Sequence, residues 1–400
     1  MILTRMKKKN VAEFVLSRCS LVLWAVLSVS CASAPAPLAI VTAPSDYGGA
    51  EKSILVVTSR SPVDDDTQRY GSGRSKELHF DDISVWIPPD RERGSVPYPD
   101  SRIDPQTDFG ITQIDPITKE IFLSKVKDRL SVRSGIEKFI FLYVHGYNNP
   151  YSHGVYRQAQ IYNDFEVEGV AVHYSWPSAG RFTQYMYDRD SAQFARDGLV
   201  QLIKTLSETD ATSVMVMGHS MGALVAMEAI RSLAIANDFE TIEKISPLML
   251  ASPDIDVDVF STQLSLLEAK PEPFVVFASR QDKALTFSKR LRGGHPRVGG
   301  AENISELEAA GVIVVDLSSV DDGDNANHAT FASSPTLIRM LTDAKATAKS
   351  ILEADNAERR DAPLRLQDEL ITDMITAPKT IRDSLSDDDA TGSSSPNTSK

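Results

Sequence analysis

The sequence predicts an α/β protein whose central sheet is mostly parallel and covered by helices on both faces. Three observations predict it. Short β-branched runs alternate with stretches of helical length along the 400 residues, the order that parallel strands joined by crossover helices require. The runs are apolar at nearly every position, as strands buried on both faces are. Apolar residues make up 42% and charged residues 24% of the chain, close to globular averages and unlike a disordered or multi-span membrane protein.

The first element in order is an export signal over residues 1–30. Arg5, Lys7, Lys8 and Lys9 precede an apolar stretch at 19–30, shorter than the roughly 20 residues a spanning helix needs. Leu27-Ser28-Val29-Ser30-Cys31-Ala32 resembles the lipobox of bacterial lipoproteins, with Ser28 standing where a large apolar residue is usual and Leu27 one place further out. Pro35 directly after Ala32-Ser33-Ala34 disfavours conventional cleavage there. Acylation of Cys31 and anchoring to a membrane is the leading expectation, with ordinary secretion and an uncleaved anchor as competitors. Residues 31–50 are rich in Ala, Pro and Ser and read as a tether. Cys19 and Cys31 are the only cysteines, so the rest of the chain holds neither a disulfide framework nor a thiolate metal site.

Strands are expected at 54–58 (ILVVT), 139–144 (FIFLYV), 170–174 (VAVHY), 214–217 (VMVM), 248–251 (LMLA), 274–278 (FVVFA) and 312–316 (VIVVD). Helices are expected at 151–165, 185–206, 221–235, 257–268 and 336–354. Residues 61–105 carry many charges, Gly and Pro around a strand at 83–87, and read as an N-terminal elaboration within one domain spanning 51–356. The last stretch, 357–400, ends acidic and Ser-rich and is expected to be disordered.

Gly218-His219-Ser220-Met221-Gly222 fits G-x-S-x-G. It follows an apolar run directly and opens a helical stretch, the strand, sharp turn and helix that present a serine nucleophile at a sheet edge. Ser220 is the candidate nucleophile and the Met221 amide a candidate oxyanion donor. An alcohol attacks poorly unless a base takes its proton and a third group orients that base. Downstream histidines are His295, in a Gly-Gly-His-Pro loop, and His328, in a polar loop between the last strand and the last helix. His328 is the preferred base. For the acid, Asp282 follows the strand at 274–278, and Asp254 follows the strand at 248–251 as the rival. After the strand at 139–144, His145-Gly146-Tyr147-Asn148-Asn149-Pro150 can turn the Tyr147 amide toward a substrate carbonyl, with His145 bracing the loop. Trp176, Tyr185 and Tyr187 either wall an acyl pocket or pack a helix onto the sheet.

HGYNN at 145–149, SWPS at 175–178, YMYDRDS at 185–191, GHSMG, SPDID at 252–256, DVF at 258–260, SRQDKAL at 279–285 and the Asn-His at 327–328 together resemble a family of bacterial α/β-hydrolases of undefined function, esterase- or lipase-like, many of them exported lipoproteins. The resemblance covers about 54–340. It implies the α/β-hydrolase fold and a Ser220, Asp282, His328 triad, and no substrate.

With 42 Lys+Arg against 55 Asp+Glu the net charge is −13, and removal of the signal's excess of four positive charges would leave −17. That sign repels nucleic acid and anionic lipid. No Gly-rich phosphate loop and no His/Cys/Asp cluster of metal-ligand spacing occurs, so neither cofactor nor metal is expected. The leading expectation is a serine hydrolase acting on a small-molecule or lipid ester in the bacterial envelope. Acyl transfer on the same triad, and a hydrolase fold used as a non-catalytic scaffold, are the alternatives.

Overall fold

In the computed structural model the described residues are 37–42, 48–65, 67–99 and 103–358, with side chains described to 346. All belong to one unit, Ala36–Lys400. The expected signal, Cys31, most of the tether and the tail from 359 lie outside the described residues.

Along the chain run β1 (Ala50–Pro62), β2 (Tyr70–Ile87), β3 (Gly110–Ile117), α1 (Lys119–Ser131), β4 (Ile140–Val144), α2 (Tyr151–Asp164), β5 (Val170–Ser175), α3 (Tyr185–Ser207), β6 (Val214–His219) and α4 (Met221–Ile235). They are followed by α5 (Phe239–Glu243), β7 (Ile245–Ala251), α6 (Val257–Ser265), β8 (Phe274–Ala278), α7 (Lys283–Leu291), α8 (Ile304–Ala309), β9 (Ile313–Asp316), α9 (Thr330–Ser333) and α10 (Pro335–Glu358). The strands form one sheet in the order β3-β2-β1-β5-β4-β6-β7-β8-β9. β1, β2 and β3 pair antiparallel, and every pairing from β1–β5 onward is parallel.

Successive side chains of a strand point to opposite faces, and here each face has its own core. Ile54, Val56, Phe141 and Tyr143 join Tyr151, Val155 and Ala159 of α2 on one side. Leu55, Val57, Leu142 and Val144 join Phe122 of α1, Leu199 of α3 and Val225 of α4 on the other. Continuous apolar runs are the consequence of this double burial, and truncating Leu142 to Ala would cost about 2–5 kcal/mol.

The segment 61–105 is more than an elaboration outside the sheet. Its middle is β2, 18 residues long, which pairs with β1 from Ala50↔Ile87 to Pro62↔Tyr70. Only its C-terminal part, from Asp81 on, is mainly buried, which is why the sequence revealed a strand at 83–87 and not the solvated stretch before it. β3 is the sheet's edge, with Asp115 and Pro116 along a half-exposed strand, and edge strands tolerate such residues.

The parallel register aligns the strand ends. Val144 pairs with Tyr174 and with Gly218, His219 with Ala251, and Ala278 with Asp316. The loops that follow β4, β5, β6, β7, β8 and β9 therefore open at one edge of the sheet. Ligands of open α/β sheets bind at that carboxyl edge.

Candidate active site

Ser220 sits between β6 and α4 with φ 54 and ψ −121, a backbone conformation that costs a non-glycine residue of order 1–3 kcal/mol. The surroundings enforce it. The Ser220 amide donates to the Ala251 carbonyl at 2.9 Å, and a Cβ on Gly222 would lie 2.3 Å from the His145 carbonyl oxygen, so only glycine lets α4 start this close to β4. A Cβ on Gly146 would lie 3.0 Å from Ser220 Cβ. The loop after β4 thus lies against the serine.

Among the described residues, the amides of Tyr147 and Met221 make no backbone hydrogen bond outside regular elements. Met221 is the first residue of α4, where helix geometry leaves the N–H without an internal acceptor. Two free donors beside a serine are the arrangement that stabilises a tetrahedral oxyanion.

His328 and Asp282 come together across 46 residues. Nδ1 of His328 lies 2.7 Å from Oδ2 of Asp282, while Oδ1 of Asp282 accepts from the Leu285 amide at 2.8 Å and caps α7. One carboxylate therefore holds the ring and the helix at once, and both oxygens are oriented. Burial works against charge on His328, but Asp282, with help from Asp324 and Asp254, outweighs it and raises the imidazole above its ordinary value. With Nδ1 engaged, Nε2 is the nitrogen left for chemistry. Asp324 accepts from the His328 and Ala329 amides at 3.0 and 2.7 Å, fixing the backbone of that loop.

Ser220 and His328 line one small cavity of about 30 Å³, together with Tyr147, Phe182, Tyr185, Asp254, Leu285, Phe287 and Ser288. Asp254 does not reach His328 by any hydrogen bond among the described residues. Its oxygens accept from Tyr185 and Ser288, each at 2.6 Å, and its amide donates to the Ser220 carbonyl at 3.3 Å. His295 is exposed in the loop after α7. Of the three aromatics, Tyr185 lines the cavity. Trp176 is buried, stacks on His145 at 5.1 Å and donates to its carbonyl at 2.6 Å, and Tyr187 donates to Ser72 of β2.

Three residues that the sequence left without a role hold this geometry. Arg60 at the end of β1 is 1% exposed, and all five of its N–H groups find partners. Nε donates to Ser175 Oγ (2.9 Å), Nη1 to the carbonyls of Gly71 (3.1 Å) and Ser178 (2.8 Å), and Nη2 to the Asn149 carbonyl (2.7 Å) and His145 Nε2 (3.3 Å). His145 Nε2 also lies 3.1 Å from the Trp176 carbonyl and its Nδ1 2.9 Å from the Gly146 carbonyl, so both ring nitrogens are engaged. Burial and the adjacent Arg60 hold His145 neutral, well below the ordinary histidine range. Burial pushes Arg60 itself down to about 10, still charged at neutral pH. Asp188 of α3 closes the bracket, accepting from the Asn148 and Ala179 amides and from Ser178 Oγ. Asn148, with φ 58, takes the left-handed turn that asparagine tolerates better than most residues. The third residue is His219. A carbonyl only accepts, so its Nε2 carries the proton donated to the His328 carbonyl at 3.1 Å, and its ring packs against His328 at 4.9 Å. Asp188 and His219 stand inside motifs already marked. Arg60 had one signal, a cation two residues after the apolar run at 54–58.

Among the described residues no group of three or more His, Cys, Asp or Glu is placed to hold a metal ion, and no helix is long and apolar enough to cross a membrane.

The fold and this carboxyl-edge site define an α/β hydrolase. The chain belongs to the family described as alpha/beta hydrolase of unknown function (DUF900), whose model matches residues 122–345, more than half of the chain. No curated protein matches it significantly. Similar solved structures include esterase B of Lactobacillus rhamnosis with a tributyrin phosphonate inhibitor, at TM-score 0.32 and 10% identity over 86% of this chain and 97% of that one. Others are a fungal esterase of Rhizomucor miehei, at TM-score 0.31 and 12% identity over 73% and 82%, and an esterase of Pyrobaculum calidifontis, at TM-score 0.30 and 12% identity over 66% and 80%. Likenesses this distant say nothing of the substrate.

Proposed function

We propose that the protein is a serine hydrolase that cleaves a carboxylic ester through an acyl-enzyme. The observation that carries this reading is Ser220, strained at φ 54 and lining one cavity with His328, whose Nδ1 is held by Asp282 at 2.7 Å. In the acylation step Ser220 Oγ bonds to the ester carbonyl carbon while His328 Nε2 takes the hydroxyl proton. The carbonyl oxygen becomes an oxyanion facing the Tyr147 and Met221 amides. Collapse breaks the bond to the leaving alkoxide, which receives the proton from His328. Water then attacks the acyl-serine with His328 again as base, releasing the carboxylic acid and Ser220.

The test is labelling of the purified protein by a fluorophosphonate together with turnover of a panel of aryl esters. Labelling at Ser220 with turnover lost in Ser220→Ala is expected. Wild-type turnover by Ser220→Ala would remove the serine from the mechanism.

The same proposal locates the enzyme in the bacterial envelope, anchored by acyl chains on Cys31. Support for this comes from the sequence, since Cys31 lies outside the described residues. One chain binds membranes only marginally, so the several chains of a bacterial lipoprotein are required. Cys31→Ser is expected to lose membrane fractionation, and unchanged processing and location would refute lipidation.

A further inference from the structure

The cavity beside Ser220 has a polar floor whose hydrogens are already spent. Tyr185 Oη donates to Asp254 Oδ2 and Ser288 Oγ donates to Asp254 Oδ1, both at 2.6 Å, and the two hydroxyl oxygens lie 2.9 Å apart. Each hydroxyl owns one hydrogen and the carboxylate none. What this floor offers a newcomer is therefore lone pairs. Its charge has the same sense. Arg297, 1% exposed, places Nε 3.5 Å from Asp254 and Nη1 3.4 Å from Asp256, so one cation is shared between two carboxylates and the group carries a net negative charge. Asp254 is itself 3% exposed, and charge-assisted bonds gain strength in such low-dielectric surroundings. An alkyl end placed here would strip water from these oxygens and return nothing. The walls above are aromatic, with Phe182 tilted against Phe287 at 4.9 Å and Tyr147 edge-on to Tyr185 at 5.4 Å. Only a short group fits about 30 Å³.

We propose that the substrate is a short ester bearing a hydrogen-bond donor, an ammonium or a hydroxyl, a few bonds from the scissile carbonyl, seated on Asp254 with Tyr185 and Ser288. This rests on the serine-hydrolase reading and adds the substrate class to it. Asp254 then acts by binding and not as the acid of the triad.

The experiment compares p-nitrophenyl esters of equal length, butyrate, 3-hydroxypropionate and 3-aminopropionate, each kcat/KM divided by the ester's own rate of base hydrolysis without protein. Fluorophosphonate labelling of Ser220 is measured in parallel. The donor-bearing esters are expected to be preferred by about 10–100-fold, the contribution of one hydrogen bond to a charged group. Asp254→Asn is expected to remove the preference for the ammonium ester, and Ser288→Ala to reduce the preference for both. If Asp254→Asn lowers the melting temperature too far to assay, Ser288→Ala alone decides. Labelled protein that turns over butyrate as well as its donor-bearing analogues overturns the substrate class and leaves the hydrolase standing. A selectivity ratio unchanged in the variants, or an Asp254→Asn loss equal for all three esters, overturns the role of the floor. Absence of both labelling and turnover overturns both proposals.

Discussion

Two buried arginines, Arg60 and Arg297, flank the site, each 1% exposed, and they are held in opposite ways. Arg60 spends all five donors, three of them on the loops after β4 and β5 and one on Ser175 at the end of β5. Arg297 sits behind Asp254 with Nε and Nη2 lacking a hydrogen-bond partner among the described residues. A fully satisfied buried cation rigidifies what it touches, whereas Arg297, with one long hydrogen bond from Nη1 to Asp256 at 3.4 Å, fixes charge more than geometry. The difference teaches that one side of Ser220 is fixed in position and the other in charge, which under the proposed mechanism would serve the placement of an oxyanion and the sign of charge a ligand meets.

The largest effect removes the point where the two sides meet. Ser220→Ala should lower ester turnover by about 10⁴–10⁶-fold, as losing the nucleophile of a concerted triad does, while the melting temperature stays near wild type because Ala keeps the small Cβ.

Asp282→Asn comes next and separates orientation from capping. Asparagine is as good an N-cap as aspartate, so α7 and overall stability should hold. Turnover should fall by about 10⁴-fold because an amide no longer stabilises the working tautomer and the imidazolium. The pH profile gives a second readout. His328 is raised above its ordinary value, so its imidazolium persists to higher pH, and activity of the free enzyme should rise with pH along a limb above that of an unperturbed histidine. Removing the Asp282 charge leaves the burial penalty in command, and the limb should move to lower pH. A limb that stays put would dissociate Asp282 from the base.

Arg60→Lys tests the rigid side. Lysine keeps the charge but has three donors for five acceptors and no planar fork. The loss should appear in kcat, about 10²–10³-fold as for a displaced oxyanion donor, with KM and the pH limb little changed. A loss confined to KM would mean that the bracket serves substrate binding instead.

Arg297→Lys should have the smallest effect, since a point charge can still sit between Asp254 and Asp256. Less than a ten-fold change in kcat/KM is expected. If it cost as much as Arg60→Lys, the contrast between the two arginines would fail.

How much of this was legible follows from the range of each interaction. The seven buried strands announced themselves because double burial makes a run apolar at every position. GHSMG was legible because strand, turn and helix are contiguous. The first half of β2, β3 and α1 were not, since their residues are largely solvated. α1 buries only Phe122, Val126 and Leu130, one narrow stripe along 13 residues. Asp282 and Asp254 look alike in sequence, each a carboxylate after a late strand. Which of them reaches His328 depended on a loop 46 residues further on.

By itself, then, the sequence determined the parallel core, the position of Ser220 in its turn and the loop that carries His328, because each is specified by neighbours a few residues away. Tertiary structure decided that Arg60 bonds to a loop 85 residues later, that His219 supports the His328 carbonyl across 109 residues, and that Asp254 becomes the acceptor floor of a cavity. These rest on directed hydrogen bonds between side chains remote in sequence. Such bonds leave no period in the chain, and they exist only once the two cores have brought the strand ends to one edge.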